Sequence, residues 1–319
     1  MKSIKTKTVK FISFVLALAL VAAMTAACGN APAQAADRPA QAPEASAPEP
    51  VQDPPTGSAS APESGSGLSG DVTTAGSTSM QPLSDELAYA FSEIYPDVIV
   101  DVQGGGSGQG VTAVKEDLVD FGALSRELKD EERAIITQEF VIAKDGIAIV
   151  TNKNVDVDGL TIEQLKLIFT GEITNWSEVG GTAAKIEVVC REDGSGTRDA
   201  FNELTGVLGK DADGNNVDNT TETALIQNST GAIMTTVAGT ENAIGYVSLG
   251  SLNDSVKAML VEGVEASAAT VLDGSYKVSR PFIYITERDL SPQAQAFIDF
   301  IFSAEGQAIV VDSGFIAVA

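Results

Sequence analysis

From residue 68 onward the apolar positions alternate between two rhythms: short continuous runs, and segments with apolar residues three and four apart. Leu83, Leu87, Phe91 and Ile94 share one face of a helix that Pro82 opens and Pro96 stops. Val98 to Val102 then reads as a strand, and the loop Gly104-Gly105-Gly106-Ser107-Gly108 leads into a second helix carrying Val111, Val114 and Leu118. Asp120 to Leu124 is a short strand, and Ser125-Arg126 leads into a charged helix from Glu127. This order predicts an α/β fold with a largely parallel sheet.

Farther along, Val141 to Val150 is apolar but broken by Asp145-Gly146, as a strand pair or a crossover would be. Thr161-Ile162-Glu163-Gln164 is a capping box that opens a helix with Leu165, Ile168 and Phe169. Ile186 to Cys190 reads as a buried strand, with Cys190 a small core residue rather than a nucleophile. Tyr276 to Thr286 is a late strand, and two helices follow, with Phe297 and Ile301 on one face. Trp176, just after a turn, suits a packing anchor better than a ligand contact. There is no repeat at a fixed period.

The N-terminus has a different character. Lys2, Lys5, Lys7 and Lys10 precede an apolar run from Phe11 to Ala23, then Thr25-Ala26-Ala27-Cys28. A basic head, a short apolar core and small residues at the end describe an export signal over residues 1–27. The run is short for a membrane span. The residues before Cys28 resemble a lipobox, which makes Cys28 the expected lipidation site, with Thr25 in place of the usual Leu. A cleaved leader with a free cysteine is the alternative. Residues 28–67 are rich in Ala, Pro, Ser and Glu and offer too little apolar surface to offset ordering. Such a tether spans on the order of 30–35 Å, enough to hold a domain away from a membrane.

Charge narrows the partners. Asp and Glu number 44 against 20 Lys and Arg, a formal charge of −24, and the leader removes only lysines. That argues against a nucleic-acid partner. It does not exclude an anion, because long-range charge governs encounter while local dipoles govern a buried pocket. The chain has no His, so neither a Ser-His triad nor a His-ligated metal is available. No metal or cofactor is expected.

Three loops share one chemistry: Gly76-Ser77-Thr78-Ser79-Met80, Gly104 to Gly110, and Gly194-Ser195-Gly196-Thr197, each before a helix. Glycine lets backbone N–H groups approach closely, hydroxyls add directional donors, and a helix N-terminus adds partial positive charge. Arg126 and Arg191 sit where strand meets loop, and a guanidinium fork fits a tetrahedral oxyanion. Each loop alone is compatible with an ordinary capped turn; three together point to an anion binder. A phosphatase or serine hydrolase is disfavoured, since neither a complete P-loop nor G-x-S-x-G occurs.

Gly76-Ser77-Thr78-Ser79-Met80-Gln81-Pro82-Leu83, Val102 to Gly108 and Gly122-Ala123-Leu124-Ser125-Arg126 closely resemble the phosphate-binding component of the phosphate ABC importer, the PstS family. Ile173-Thr174-Asn175-Trp176, Val179-Gly180-Gly181 and Arg191 to Arg198 extend the likeness across the chain after the tether. The resemblance implies a two-lobed type II periplasmic-binding-protein fold, its lobes joined by two crossover strands. Lobe one would be 68–147 plus 276–319, and lobe two 148–275. It further implies phosphate ligands Thr78, Ser79, Ser107, Ser125 and Arg126 from lobe one, and Arg191, Ser195, Gly196 and Thr197 from lobe two. Implied partners are inorganic phosphate, the importer's permease and ATPase subunits, and the outer face of the cytoplasmic membrane through the lipid anchor; the protein itself would be a monomer. Sulfate or molybdate as ligand, or phosphate sensing without transport, are the alternatives. Where some relatives carry a carboxylate that accepts the phosphate proton, this chain has Ser125, with Asp193 a candidate acceptor or a partner orienting Arg191.

Overall fold

The computed structural model describes residues 67–318. The export signal, Cys28 and the tether up to residue 66 lie outside the described residues. β1 (Gly70–Gly76), α1 (Gln81–Ile94), β2 (Val98–Gly104), α2 (Ser107–Lys115) and β3 (Phe121–Leu124) form two successive β–α–β units. β1 lies between β2 and β3 and runs parallel to both. α1 forms as its sequence predicts, with Pro82 in the first turn, where a missing N–H costs nothing, and Leu83, Leu87 and Phe91 buried.

Two local expectations fail for visible reasons. Leu118 lies beyond α2 and is exposed, because Asp117 turns the chain at φ 55°. The charged helix expected from Glu127 is reduced to one turn, α3 (Asp130–Arg133). Leu128 is buried against the Val111–Ile285 cluster, and the Glu132 carboxylate folds back onto the Lys129 N–H at 2.9 Å. The segment before α3 is therefore tied as a loop.

β4 (Gln138–Thr151) is one continuous strand of 14 residues, not a pair. Beyond it come β5 (Gly159–Leu160), α4 (Ile162–Thr170), β6 (Glu187–Arg191), α5 (Gly196–Thr205), the hairpin of β7 (Leu208–Lys210) and β8 (Asn216–Asp218), β9 (Leu225–Gln227), α6 (Thr230–Gly239), β10 (Ala243–Ser248), β11 (Lys257–Ala258), β12 (Leu260–Val261) and α7 (Ala268–Leu272). The chain returns through β13 (Ser279–Thr286) to α8 (Pro292–Ile301) and α9 (Ala304–Asp312).

The strand order is β2-β1-β3-β13-β4-β10-β6-β9. β4 pairs with β13 along Gln138–Gly146 and with β10 along Ile147–Thr151, so one strand serves the sheets of both lobes. The expected parallel sheet holds for the outer strands of each lobe. Around β4 and β13 the pairing is antiparallel, because the chain crosses from lobe to lobe and back.

Each lobe has its own core. In lobe one, Phe91, Phe121, Phe282 and Phe297 pack between sheet and helices, and Phe91 meets Phe297 edge-on at 5.3 Å. In lobe two, Phe169, Phe201 and Tyr246 cluster, with Phe201 stacked on Tyr246 at 4.2 Å. Burying each such ring contributes roughly 1.5–3 kcal/mol. Trp176 is a packing anchor, buried with its indole N–H donating to the Asn242 carbonyl at 3.0 Å. Cys190 is buried in the same core, and desolvation pushes its thiol up to about 12, so it is an inert side chain.

Candidate functional site

Residues at the N-termini of four helices meet across the cleft: α1 and α2 from lobe one, α5 and α6 from lobe two. Their first N–H groups have no partner within the helix, and each end carries roughly half a positive charge. Short hydroxyl side chains fill the space between them. Ser77 Oγ donates to Ser125 Oγ at 2.8 Å and accepts from the N–H of Ser79 at 3.2 Å. Ser107 Oγ accepts from the Ser125 N–H at 3.1 Å. Across the cleft, Ser79 Oγ lies 2.8 Å from Thr197 Oγ1 and 2.9 Å from Thr230 Oγ1.

The lobes are shut. The Gly108 N–H donates to the Gly194 carbonyl at 2.9 Å, joining the two glycine loops. Gly196 packs so closely on lobe one that a Cβ there would stand 2.2 Å from Ser107 Oγ and 2.8 Å from Ser125 Oγ. Here glycine is required by space rather than by φ. Ser195 caps α5 by accepting from the Arg198 N–H and is buried beside this contact.

Arg191, at the end of β6, is 2% exposed. Its Nε and Nη2 form a fork on Glu192 at 2.8 and 2.7 Å, which leaves Nη1 turned toward Thr230 Oγ1 at 3.4 Å. Glu192 thus does the orienting that the sequence offered to Asp193. Asp193 is 94% exposed and pairs instead with Arg198 at 3.0 Å.

Arg126 is placed differently from the other expected ligands. Nη1 and Nη2 form a fork on Glu132, both at 2.7 Å, and Nη1 also reaches the Glu127 carbonyl. Nε lies 3.0 Å from Asp199 Oδ2 but off the N–H direction, an ionic contact rather than a hydrogen bond. Burial opposes the charge on Arg126, but Glu132 and Asp199 outweigh it and raise the guanidinium pKa. All three nitrogens therefore face carboxylate or carbonyl oxygen.

Beneath the cup lies a pair that the sequence did not announce. Asp145 of β4 and Arg280 of β13 are both buried, with Nε and Nη2 of Arg280 at 3.1 and 3.0 Å from Oδ2 of Asp145. Arg280 Nη1 also donates to the Ser125 carbonyl at 3.0 Å. Asp145 Oδ1 accepts from Ser248 Oγ and the Leu249 N–H in lobe two. Full desolvation pushes the Asp145 carboxyl up, against the pull of Arg280 and these donors. The pair ties the Ser125 loop to both crossover strands.

Thr78, Ser79, Ser107, Ser125, Arg191, Ser195, Gly196 and Thr197 are thus gathered at one cleft, with Arg126 next to Ser125 but engaged by Glu132 and Asp199. Ser77, Thr230 and Glu192 join them unannounced. Ser229-Thr230-Gly231 carries the same signal as the three loops, small residues and hydroxyls before a helix, but has no adjacent arginine. Among the described residues there is no cluster of metal-ligating side chains.

Comparison with known proteins agrees with this architecture. The PBP superfamily domain matches residues 56–305. The phosphate-binding protein PstS of Bacillus subtilis is 34% identical over 255 residues, covering 78% of this chain and 81% of its own length. PstS 2 of Streptococcus pneumoniae is 55% identical, but over 131 residues, so the match spans 41% of this chain and only 45% of that protein. A Clostridium perfringens structure described as a phosphate ABC transporter substrate-binding protein with bound phosphate has 45% identity and a TM-score of 0.73, over 78% of this chain and 100% of that one. An ABC-type phosphate transport receptor from Vibrio cholerae has 36% identity and a TM-score of 0.66, over 77% and 100%.

Proposed function

We propose, for a chain that belongs to the PstS family of the PBP superfamily, that it captures inorganic phosphate between its lobes and delivers it to an ABC importer. One observation carries this reading: hydroxyls and helix N-termini from both lobes converge on one cup, with the guanidinium of Arg191 beside it. Thr78, Ser79, Ser107 and Ser125 would donate from lobe one, and Arg191, Ser195, Gly196 and Thr197 from lobe two. Arg126 would act through Asp199 and Glu132 rather than on the anion.

The chemistry follows from neutrality. Arg191 faces Glu192, Arg280 faces Asp145, and Arg126 with Lys129 faces Glu132 with Asp199. An entering anion meets amide and hydroxyl dipoles on a background where every local cation is already matched. Such dipoles bind well in a dry site because they are aligned before the ligand arrives. Hydroxyls now bonded to one another across the cleft would turn toward the anion, so ligand and closed form favour each other. Binding and release, not catalysis, is the function such a site serves.

In this reading residues 1–27 are the export signal, Cys28 the lipid anchor and 28–67 the tether, which places a monomeric receptor on the outer face of the cytoplasmic membrane. Residues 68–147 with 276–319 form lobe one and 148–275 lobe two. The test is a thermal-shift panel on the mature protein with phosphate, sulfate and molybdate, in which only a true ligand raises the melting temperature with concentration. Phosphate is expected to do so at the lowest concentration. A shift with sulfate or molybdate and none with phosphate would sink the assignment.

A further inference from the structure

Thr230 belongs to two places at once. Its Oγ1 lies 2.9 Å from Ser79 Oγ in the cup and 3.5 Å from Thr78 Oγ1, and its N–H donates to Thr78 Oγ1 at 3.3 Å. Thr78 comes from lobe one and Thr230 from lobe two, so these bonds exist only when the lobes are shut. On the far side of the two threonines lies a groove of about 800 Å³. Its walls include Pro82, Met234, Ala238, Gly250 and Asn253, and no charged side chain lines it.

We propose that Thr78 and Thr230 form a specificity bar: joined across the cleft, they seal the cup from this groove and restrict the site to an anion with no organic substituent. The proposal rests on the phosphate reading above. A phosphomonoester presents the same tetrahedral group, but one oxygen is bonded to carbon and its tail needs an exit. On the glycine-loop side the exit is shut by main chain, since the Gly108 N–H is bonded to the Gly194 carbonyl and a Cβ on Gly106 would stand 3.2 Å from that oxygen. The pocket on that side is lined in part by Glu192 and Asp193. On the other side, two threonine side chains stand between the cup and an uncharged groove large enough for a short organic chain. Selectivity of this kind comes from obstructing the wrong ligand rather than from gripping the right one harder.

Calorimetric titration with inorganic phosphate and with glycerol 3-phosphate tests the bar. The wild-type protein should bind glycerol 3-phosphate at least about 100-fold more weakly than phosphate, the upper range for discrimination by shape. In Thr230→Ala, which leaves the Thr78 donor in place, that gap should narrow by roughly tenfold or more, through tighter binding of the ester in absolute terms. Thr230→Ser, which keeps the hydroxyl, should retain most of the discrimination, and a melting curve for each variant establishes that it is folded. Should Thr230→Ala not fold, Thr230→Gly carries the same comparison. An unchanged gap, a gap narrowed only by loss of phosphate affinity, or a wild type that takes both ligands equally would overturn the bar while leaving the phosphate reading standing. A wild type that binds neither ligand would fail the phosphate reading, and the bar with it.

Discussion

Nε of Arg126 lies 3.0 Å from Oδ2 of Asp199, and the two residues belong to different lobes. Lys129 Nζ meets the same oxygen at 3.0 Å, so one carboxylate of α5 is held by two lobe-one cations. The contact is a latch on the closed form. Asp199 is partly exposed, so screening limits its worth to about 1 kcal/mol. Asp199→Asn should therefore speed phosphate release severalfold, with less effect in high salt, as read by stopped-flow dissociation. If Arg126→Ala weakens binding equally in the wild-type and Asp199→Asn backgrounds, Arg126 does not act through the latch.

Arg191→Ala should weaken phosphate binding by about 2–5 kcal/mol, because a buried anion would lose its guanidinium and Glu192 would lose its partner. Arg191→Lys should recover little of this, since an ammonium cannot fork on Glu192 while also reaching into the cup. Calorimetry decides; wild-type affinity in the alanine variant would remove Arg191 from the site.

Gly196→Ala separates closure from folding. The added methyl would collide with Ser107 and Ser125 of the other lobe, and only when the lobes are shut. Overpacking of this kind costs about 1–3 kcal/mol. Affinity should fall roughly ten- to hundredfold with the melting temperature of the free protein little changed. Small-angle scattering should show the variant remaining extended at phosphate concentrations that compact the wild type.

Glu132 sets an acid limit on stability. Burial alone would raise its pKa, but the Arg126 fork and the Lys129 N–H outweigh it and hold the carboxyl below the usual glutamate value. A carboxyl with a depressed folded-state pKa contributes stability above its unfolded pKa and loses it as pH falls through the folded one. Wild type should therefore melt higher than Glu132→Gln at neutral pH, with the gap closing as pH drops below about 4. A gap that stayed constant into acid would show that the charge of Glu132 is not what matters.

Much of this was legible because it is fixed locally. Pro82 and Pro96 bound α1, and the Thr161–Gln164 capping box begins α4. The hydroxyl loops pointed to the cup because three of them occur in one chain, although each alone reads as an ordinary capped turn. The continuity of β4 was hidden because Asp145-Gly146 reads as a break until Arg280, 135 residues away in sequence, supplies the buried countercharge. The Ser125-Arg126 motif fixes where Arg126 sits, not the direction of its guanidinium. Glu132, six residues on, turns it aside. Thr230 is hard to read from sequence because its loop lacks the arginine that marks two of the others.

One strand from Gln138 to Thr151 is stitched into both sheets, so neither lobe can lose its secondary structure without stripping an edge from its neighbour. Two hydrophobic nuclei would ordinarily melt as two events. Sharing this strand should fuse them into a single calorimetric endotherm, and heating should never leave half the molecule standing.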